Sequence, residues 1–425
     1  MDSSVFACVE DLRGEGFAAA LDRIAGEYGV TGLTVAAAYH RARDVTPHGR
    51  ARVTVRCDGA HFEPAEDLFA GVRLQPPVQP GASDQPLRSL RRATAERGLA
   101  LHGWTVFCHS TTLGTAHPDC TSQNAFGDRA APADLCPSHP DVQAYAIALA
   151  RNVARHGVDT VVAESLHFGF FDHGYHHERS FAPLGEIDRF LLGLCFCPAC
   201  RVGAARHGAD PEAARTASRQ VLERVLGSGQ PSPGALSLDG LGAVCGPAVG
   251  EYAAARAATV TGLAARVAEA VAAEGSRLVF LDLTGAIKGY ADGMPAGAPA
   301  ARDAWRIGAD PGALGRQVPE YAVLGYARDP ARVASDVAAY REALGPAAAG
   351  PAGPAGPALR VVLRPCLPDT GSAGNLAEKV TAACRAGATA VDFYHDGLAP
   401  LPALRRIPEA LRSSPGTPAD SRDPG

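Results

Sequence analysis

The chain predicts an eight-stranded (β/α)8 TIM-type barrel with long insertions after strands 1, 3 and 4. Three observations carry that prediction. Eight short apolar runs rich in β-branched residues recur along the sequence, helical patterns separate most of them, and no GxGxxG turn follows the first run. Near-continuous apolar runs of this length suit parallel strands covered on both faces. Their alternation with helices favours a closed barrel over an open doubly wound sheet, which would bind a nucleotide at a glycine-rich first turn.

The runs lie at 32–39 (GLTVAAAY), 71–76 (GVRLQP), 99–108 (LALHGWTVFC), 159–165 (DTVVAES), 277–283 (RLVFLDL), 320–327 (EYAVLGYA), 359–364 (LRVVLR) and 389–394 (TAVDFY). Helical patterns occupy 86–97, 140–156, 249–274, 329–344 and 375–386. Ahead of the first run, residues 1–29 read as an acidic, interrupted helical segment. Three loops are long: 39–71, with a hairpin expected at 51–56 and 60–62 around Asp58-Gly59; 108–136; and 165–248, which has a helix of its own at 211–226. The barrel is expected over 30–412, including a cysteine-rich insertion at about 166–248. PAAAGPAGPAGP at 346–357 cannot propagate a helix and reads as a solvent loop, and 413–425 as a disordered tail.

The 425 residues include 40 Lys+Arg and 45 Asp+Glu, a formal net charge of −5 with histidines neutral. A near-neutral balance without a basic block argues against nucleic acid as a partner. No apolar run reaches the ~18 residues of a membrane span. The amino-terminal stretch lacks the basic and apolar regions of a secretory signal, so a cytoplasmic enzyme with reduced thiols is expected. Eleven cysteines, an odd number, point the same way. A homo-oligomer is compatible with all of this.

The sharpest local motif is Cys195-Phe-Cys197-Pro-Ala-Cys200. Three thiols in six residues, with a proline shaping the turn, match a knuckle that presents sulfurs to one tetrahedral Zn²⁺. A fourth ligand must come from elsewhere: Cys136 and Cys120 in the preceding long loop are candidates, with Cys108 behind them. Such a site would be structural. Cysteine is also a common core residue, so buried thiols without metal are the plain alternative.

Barrel chemistry sits at the carboxyl ends of the strands. Glu164 ends the fourth run, where a partly buried carboxyl can serve as a general acid. Other run ends add Tyr39 and His40, with His48 beyond; Trp104 and His109; Asp282; Arg364; and Asp392, Tyr394, His395 and Asp396. The stretch from His167 to Glu178 holds four histidines, two carboxylates and several aromatics. It reads as a sugar-binding wall, with a metal site at His173, His176, His177 and Glu178 as an alternative. A mouth of His, Asp/Glu, Trp and Tyr suits a neutral polyhydroxylated ligand. No GxSxG elbow or P-loop argues for acyl or nucleotide chemistry.

The segments AAAYHRARDVTPHGRARVTVRCDGAHFEP, HPDCTSQNAFGDRAAPADLCPSHPDVQAY, VDTVVAESLHFGFFDHGYHHE, FLLGLCFCPACR and GATAVDFYHDGLAPLPALRRIPEAL resemble a group of actinobacterial TIM-barrel proteins. These are held to be hypothetical glycoside hydrolases and have no assigned activity; the resemblance spans about residues 30 to 410. More distantly, the CxCxxC is similar to the zinc knuckle of the β-galactosidases of glycoside hydrolase family 42, whose acid/base glutamate ends the fourth strand. That resemblance implies zinc at Cys195, Cys197 and Cys200 with a fourth ligand from the third-strand loop, and an acid/base role for Glu164. The chain departs from the pattern at Ala163, where the family has Asn. It departs again after the seventh run, where LRPCLPD has no glutamate to act as nucleophile.

The sequence therefore leads to a glycosidase-like hydrolase acting on a saccharide or glycoside. Glu164 would be the acid, and Asp282 or Asp392 the base or nucleophile. Tyr39, His40, His48, Trp104, His109, His167, Arg364, Tyr394 and His395 would contact sugar. Zinc would sit on Cys195, Cys197, Cys200 and Cys136. A metal-dependent sugar isomerase, epimerase or lyase and a non-catalytic carbohydrate-binding barrel are the alternatives.

Overall fold

The computed structural model describes residues 1–173, 179–345 and 356–413. Eight parallel strands form the barrel: β1 (Asp2–Ala7), β2 (Gly32–Tyr39), β3 (Ala100–Val106), β4 (Thr160–Glu164), β5 (Arg277–Asp282), β6 (Glu320–Leu324), β7 (Ala358–Leu363) and β8 (Ala390–Phe393). Strand β1 pairs with both β2 and β8, which closes the ring. The (β/α)8 expectation holds.

The identity of two strands does not. The amino-terminal segment supplies β1 rather than helix alone; helices Val9–Glu15 and Phe17–Arg23 follow it. Its inward Ser4 is polar because it bonds Thr34 and Asp392 inside the barrel, which removes the apolar signature of a strand. The run 71–76 forms no strand: Gly71 sits at φ 76° and the chain there is turn and coil. The long excursions accordingly follow β2, β3 and β4.

The expected hairpin is also rearranged. Val53–Arg56 pairs with Ala42–Val45, whereas Gly59–Ala60 adds antiparallel to the end of β2. Asp58 is not a free turn residue. Its carboxylate accepts from the Arg41 and Thr112 amides at 2.9 and 2.7 Å, tying this excursion to the β3 loop.

Helices cover the outside of the barrel and begin with conventional signals. Pro330–Leu344 is capped by Asp329, and Ala373–Arg385 by Ser372. Pro140–Ala154 and the 27-residue Pro247–Ala273 carry proline in the first turn, where its missing N–H is not needed. Most of the core lies between strands and helices. A separate cluster inside the barrel contains Phe6, Ala36, Trp104, Val162, Val279, Leu281, Ala322, Leu324 and Val362. Strand side chains alternate between faces, so these residues fix which neighbours point inward. Among the described residues, no helix is long and apolar enough to cross a membrane.

Candidate active site

Alternation in β4 carries Thr160 and Val162 inward, and therefore Glu164 inward at the top. It borders a cavity of about 1530 Å³ at the carboxyl end of the barrel. Tyr39, His40, His109, His167, Tyr326 and Tyr394 border the same space. Below it lies Trp104, 1% exposed, packed edge-on against Phe6, Tyr39 and Tyr394 with centroids 5.1, 4.6 and 5.8 Å away. The Trp104 Nε1–H donates to Glu164 Oε2 at 2.6 Å. Burial raises the Glu164 carboxyl to about 7, against the opposing pull of the Trp104 hydrogen bond and of His109. A carboxyl of that kind holds its proton near neutral pH and can deliver it.

Two of the histidines along the rim, His40 and His167, are disposed to be neutral. Burial and the neighbouring His109 lower His40 to about 4, and its Nδ1–H donates to the Arg41 carbonyl at 2.9 Å. Burial likewise lowers His167; its Nδ1–H donates to the Phe168 carbonyl at 2.9 Å, while its buried Nε2 has no hydrogen-bond partner among the described residues. His109 meets Asp134. Of the proposed histidine-rich metal set, His173 lies on the rim, whereas His176, His177 and Glu178 fall outside the described residues.

Both expected partner carboxylates lie elsewhere. Val279 and Leu281 point inward, so Asp282 points outward into the helix layer, where Tyr321 donates to it at 2.6 Å and the Thr284 amide at 2.8 Å. Asp392 points inward but one layer too deep, level with Ser4. Arg360 grips both its oxygens, at 2.8 and 2.7 Å, and also reaches Glu320 at 3.1 Å. Burial alone would raise Asp392, but Arg360 and Ser4 hold it below the usual carboxylate range. Neither borders the cavity.

Three expected sugar contacts are also engaged in the framework. Arg364 makes a two-pronged bond to Asp369 at 2.7 Å on each arm and stacks 4.2 Å over Tyr326. His48 donates to the Asp396 carbonyl at 2.8 Å, pinning the ribbon to the loop after β8. His395 is buried against Cys8, 3.5 Å away, and burial lowers it to about 3. Conversely, sequence reasoning passed over Asp134 and Tyr326. Tyr326 follows the end of β6 and carried a signal. Asp134 sits in an irregular loop and carried none.

The cysteines converge as expected. Cys136, from the β3 loop, lies 3.8, 3.6 and 3.3 Å from the sulfurs of Cys195, Cys197 and Cys200. All four are buried. Cys197 caps helix Pro198–Arg206, and the Gln123 amide donates to Cys195 Sγ at 3.3 Å. Cys120 is not part of this group; it lies beside Asp119 and His139. Beside the thiols sits Arg256, 5% exposed, stacked 4.3 Å over Phe168, with Nε and Nη1 lacking hydrogen-bond partners among the described residues.

No protein-family profile matches the chain, and no curated protein does so at significance. Among solved structures, the chain is similar to α-L-fucosidase isoenzyme 2 from Paenibacillus thiaminolyticus (13% identity, TM-score 0.54), with 96% of this chain and 49% of that one aligned. The chain thus spans about half the length of the fucosidase. It is also similar to the catalytic domain of a β-amylase from Paenibacillus polymyxa (12% identity, TM-score 0.55, 96% and 98% covered). A β-galactosidase from Marinomonas ef1 aligns at 12% identity and a TM-score of 0.49, over 97% and 59% of the two chains. At such identities the likeness shows the fold: a TIM barrel whose structural neighbours include glycoside hydrolases.

Proposed function

We propose that the protein is a carbohydrate-active enzyme that cleaves a glycosidic bond, with Glu164 as the proton donor to the leaving oxygen. The observation that carries this reading is a Glu164 carboxyl raised to about 7 by burial, at the head of β4, in a large cavity floored by aromatic side chains. Tyr39, Tyr394 and Tyr326 offer ring faces to a pyranose, and His40, His109 and His167 offer ring nitrogens to its hydroxyls. A second acidic group, if water is to be activated, would come from carboxylates that border the cavity, such as Asp44 or Asp134, and not from Asp282 or Asp392. The test is a glycoside panel: wild-type protein cleaves a member of it, and Glu164→Gln loses that cleavage while remaining folded. Cleavage retained in Glu164→Gln would remove the assignment.

The engagement of Asp282 and Asp392 in the framework favours a second reading, a barrel that binds saccharides without turning them over. Calorimetric binding of a saccharide by a protein that releases no product would select it.

The same proposal places a structural Zn²⁺ on Cys136, Cys195, Cys197 and Cys200. The donor set fits. Tetrahedral Zn–S bonds of about 2.3 Å put sulfurs about 3.8 Å apart, close to the separations from Cys136. Four thiolates around Zn²⁺ carry a net negative charge, and the Arg256 guanidinium beside them, which among the described residues has no carboxylate partner, is a fitting counter-charge. Zinc would supply a closed cross-link between the β3 loop and the insertion after β4.

A further inference from the structure

A second set of metal-competent side chains meets at the cavity rim, apart from the cysteines. Imidazole nitrogens of His109 and His173 and a carboxylate oxygen of Asp134 lie within 4.8 Å of one another. All three border the cavity. They come from two loops, the one after β3 and the one after β4. Asp134 forms an isolated antiparallel bridge with His109 across the β3 loop, and His173 follows β4 and meets the His109 ring edge-on at 4.5 Å.

The simplest account, a plain His–Asp ion pair, fits poorly. His109 Nδ1 stands 3.2 Å from Asp134 Oδ1, longer than the about 2.7–2.9 Å of a charge-assisted bond. Asp134 is only 7% exposed, yet among the described residues no lysine or arginine pairs with it. A buried carboxylate faced only by imidazoles calls for a cation. Gly169 lets the carboxylate sit there, since a Cβ at that position would stand 2.3 Å from Asp134 Oδ2. An independent sign of a missing partner is His167 Nε2, buried and, among the described residues, without a hydrogen bond, on the same cavity. Because His167 Nδ1–H is given to a backbone carbonyl, its Nε2 carries the lone pair, the arrangement typical of a nitrogen that accepts from a ligand or a metal.

We propose that His109, Asp134 and His173 bind one divalent transition-metal ion at the cavity rim, distinct from the ion on the cysteines. Two imidazoles and a carboxylate suit zinc, manganese, iron, cobalt or nickel, and leave coordination positions for water or the oxygens of a cavity ligand. The inference does not depend on glycoside cleavage, because no turnover enters it or its test.

The test is a Co²⁺ titration of the full-length protein, read by visible absorption and by metal content after gel filtration. His109/Asp134/His173 ligation gives weak d–d bands without thiolate-to-cobalt charge transfer, whereas cobalt on the cysteines gives intense charge-transfer bands. The expected result is one cobalt per chain with the nitrogen–oxygen signature. His173→Ala, at an exposed position that does not bear on folding, and Asp134→Asn each weaken it at least about 100-fold. Cobalt uptake that shows only the charge-transfer signature, or that is unchanged in both variants, overturns the proposal, as does the absence of any uptake.

Discussion

Replacing Glu164 by glutamine changes how stability depends on pH, and the structure sets the sign and size of the change. The carboxyl titrates at 4.5 in its ordinary state and at about 7 in the folded protein, where burial outweighs the Trp104 hydrogen bond. The folded state therefore holds this proton more tightly than the unfolded one. Its contribution to stability is fully present at pH below the ordinary value and is lost as pH rises through the folded value. Over that window the loss is about 3 kcal/mol. Glutamine keeps the shape and can accept from Trp104 Nε1 but has no proton to lose. Urea unfolding of wild type and Glu164→Gln should give a difference that is constant below about pH 4.5 and moves in the variant's favour by about 3 kcal/mol by about pH 8. Other carboxylates titrate alike in both proteins and cancel. A difference that does not vary with pH would refute the buried-acid account of Glu164.

Further predictions follow from the same contacts. Trp104→Phe removes a hydrogen bond that favours ionised Glu164, so the midpoint of the pH-dependent stability difference moves upward; an unchanged midpoint contradicts the role of Trp104. Asp392→Ala leaves Arg360 with Glu320 as its one remaining carboxylate partner among the described residues and should cost about 3 kcal/mol in chemical unfolding, while saccharide binding by calorimetry stays intact. Asp282→Ala leaves the Tyr321 hydroxyl and Thr284 amide unpaired and should cost about 1–3 kcal/mol, again without changing saccharide affinity. Cys136→Ser should lower zinc, by plasma mass spectrometry, by one per chain and cost more than about 4 kcal/mol.

The barrel was legible because seven of the eight strands are apolar runs covered on both faces. The same property hid their facing. In RLVFLD nothing in the pattern says that Val279 and Leu281, rather than Leu278 and Phe280, line the interior, so Asp282 was assigned to the mouth when it faces the helices. Strand β1 was hidden for the opposite reason, since its inward Ser4 belongs to a polar layer with Thr34 and Asp392. That layer also explains Asp392, whose place near the end of its run suggested the mouth but whose level in the barrel is set by register with β1. Glu164 and the cysteines were readable because strand end and spacing determine them locally. Asp134 was not, because an irregular bridge with His109, 25 residues away, positions it.

The central claim, that Glu164 protonates a leaving group in this cavity, is tested most directly by leaving-group dependence. Once a cleaved glycoside has been found, wild type and Glu164→Gln should be compared on that sugar carrying an alkyl alcohol and carrying dinitrophenol. The account predicts a loss of about 10²–10⁴ in kcat/KM for the alkyl glycoside, and a far smaller loss for the dinitrophenyl one, whose departure needs no proton. Equal losses on both substrates, or none on either, would contradict it.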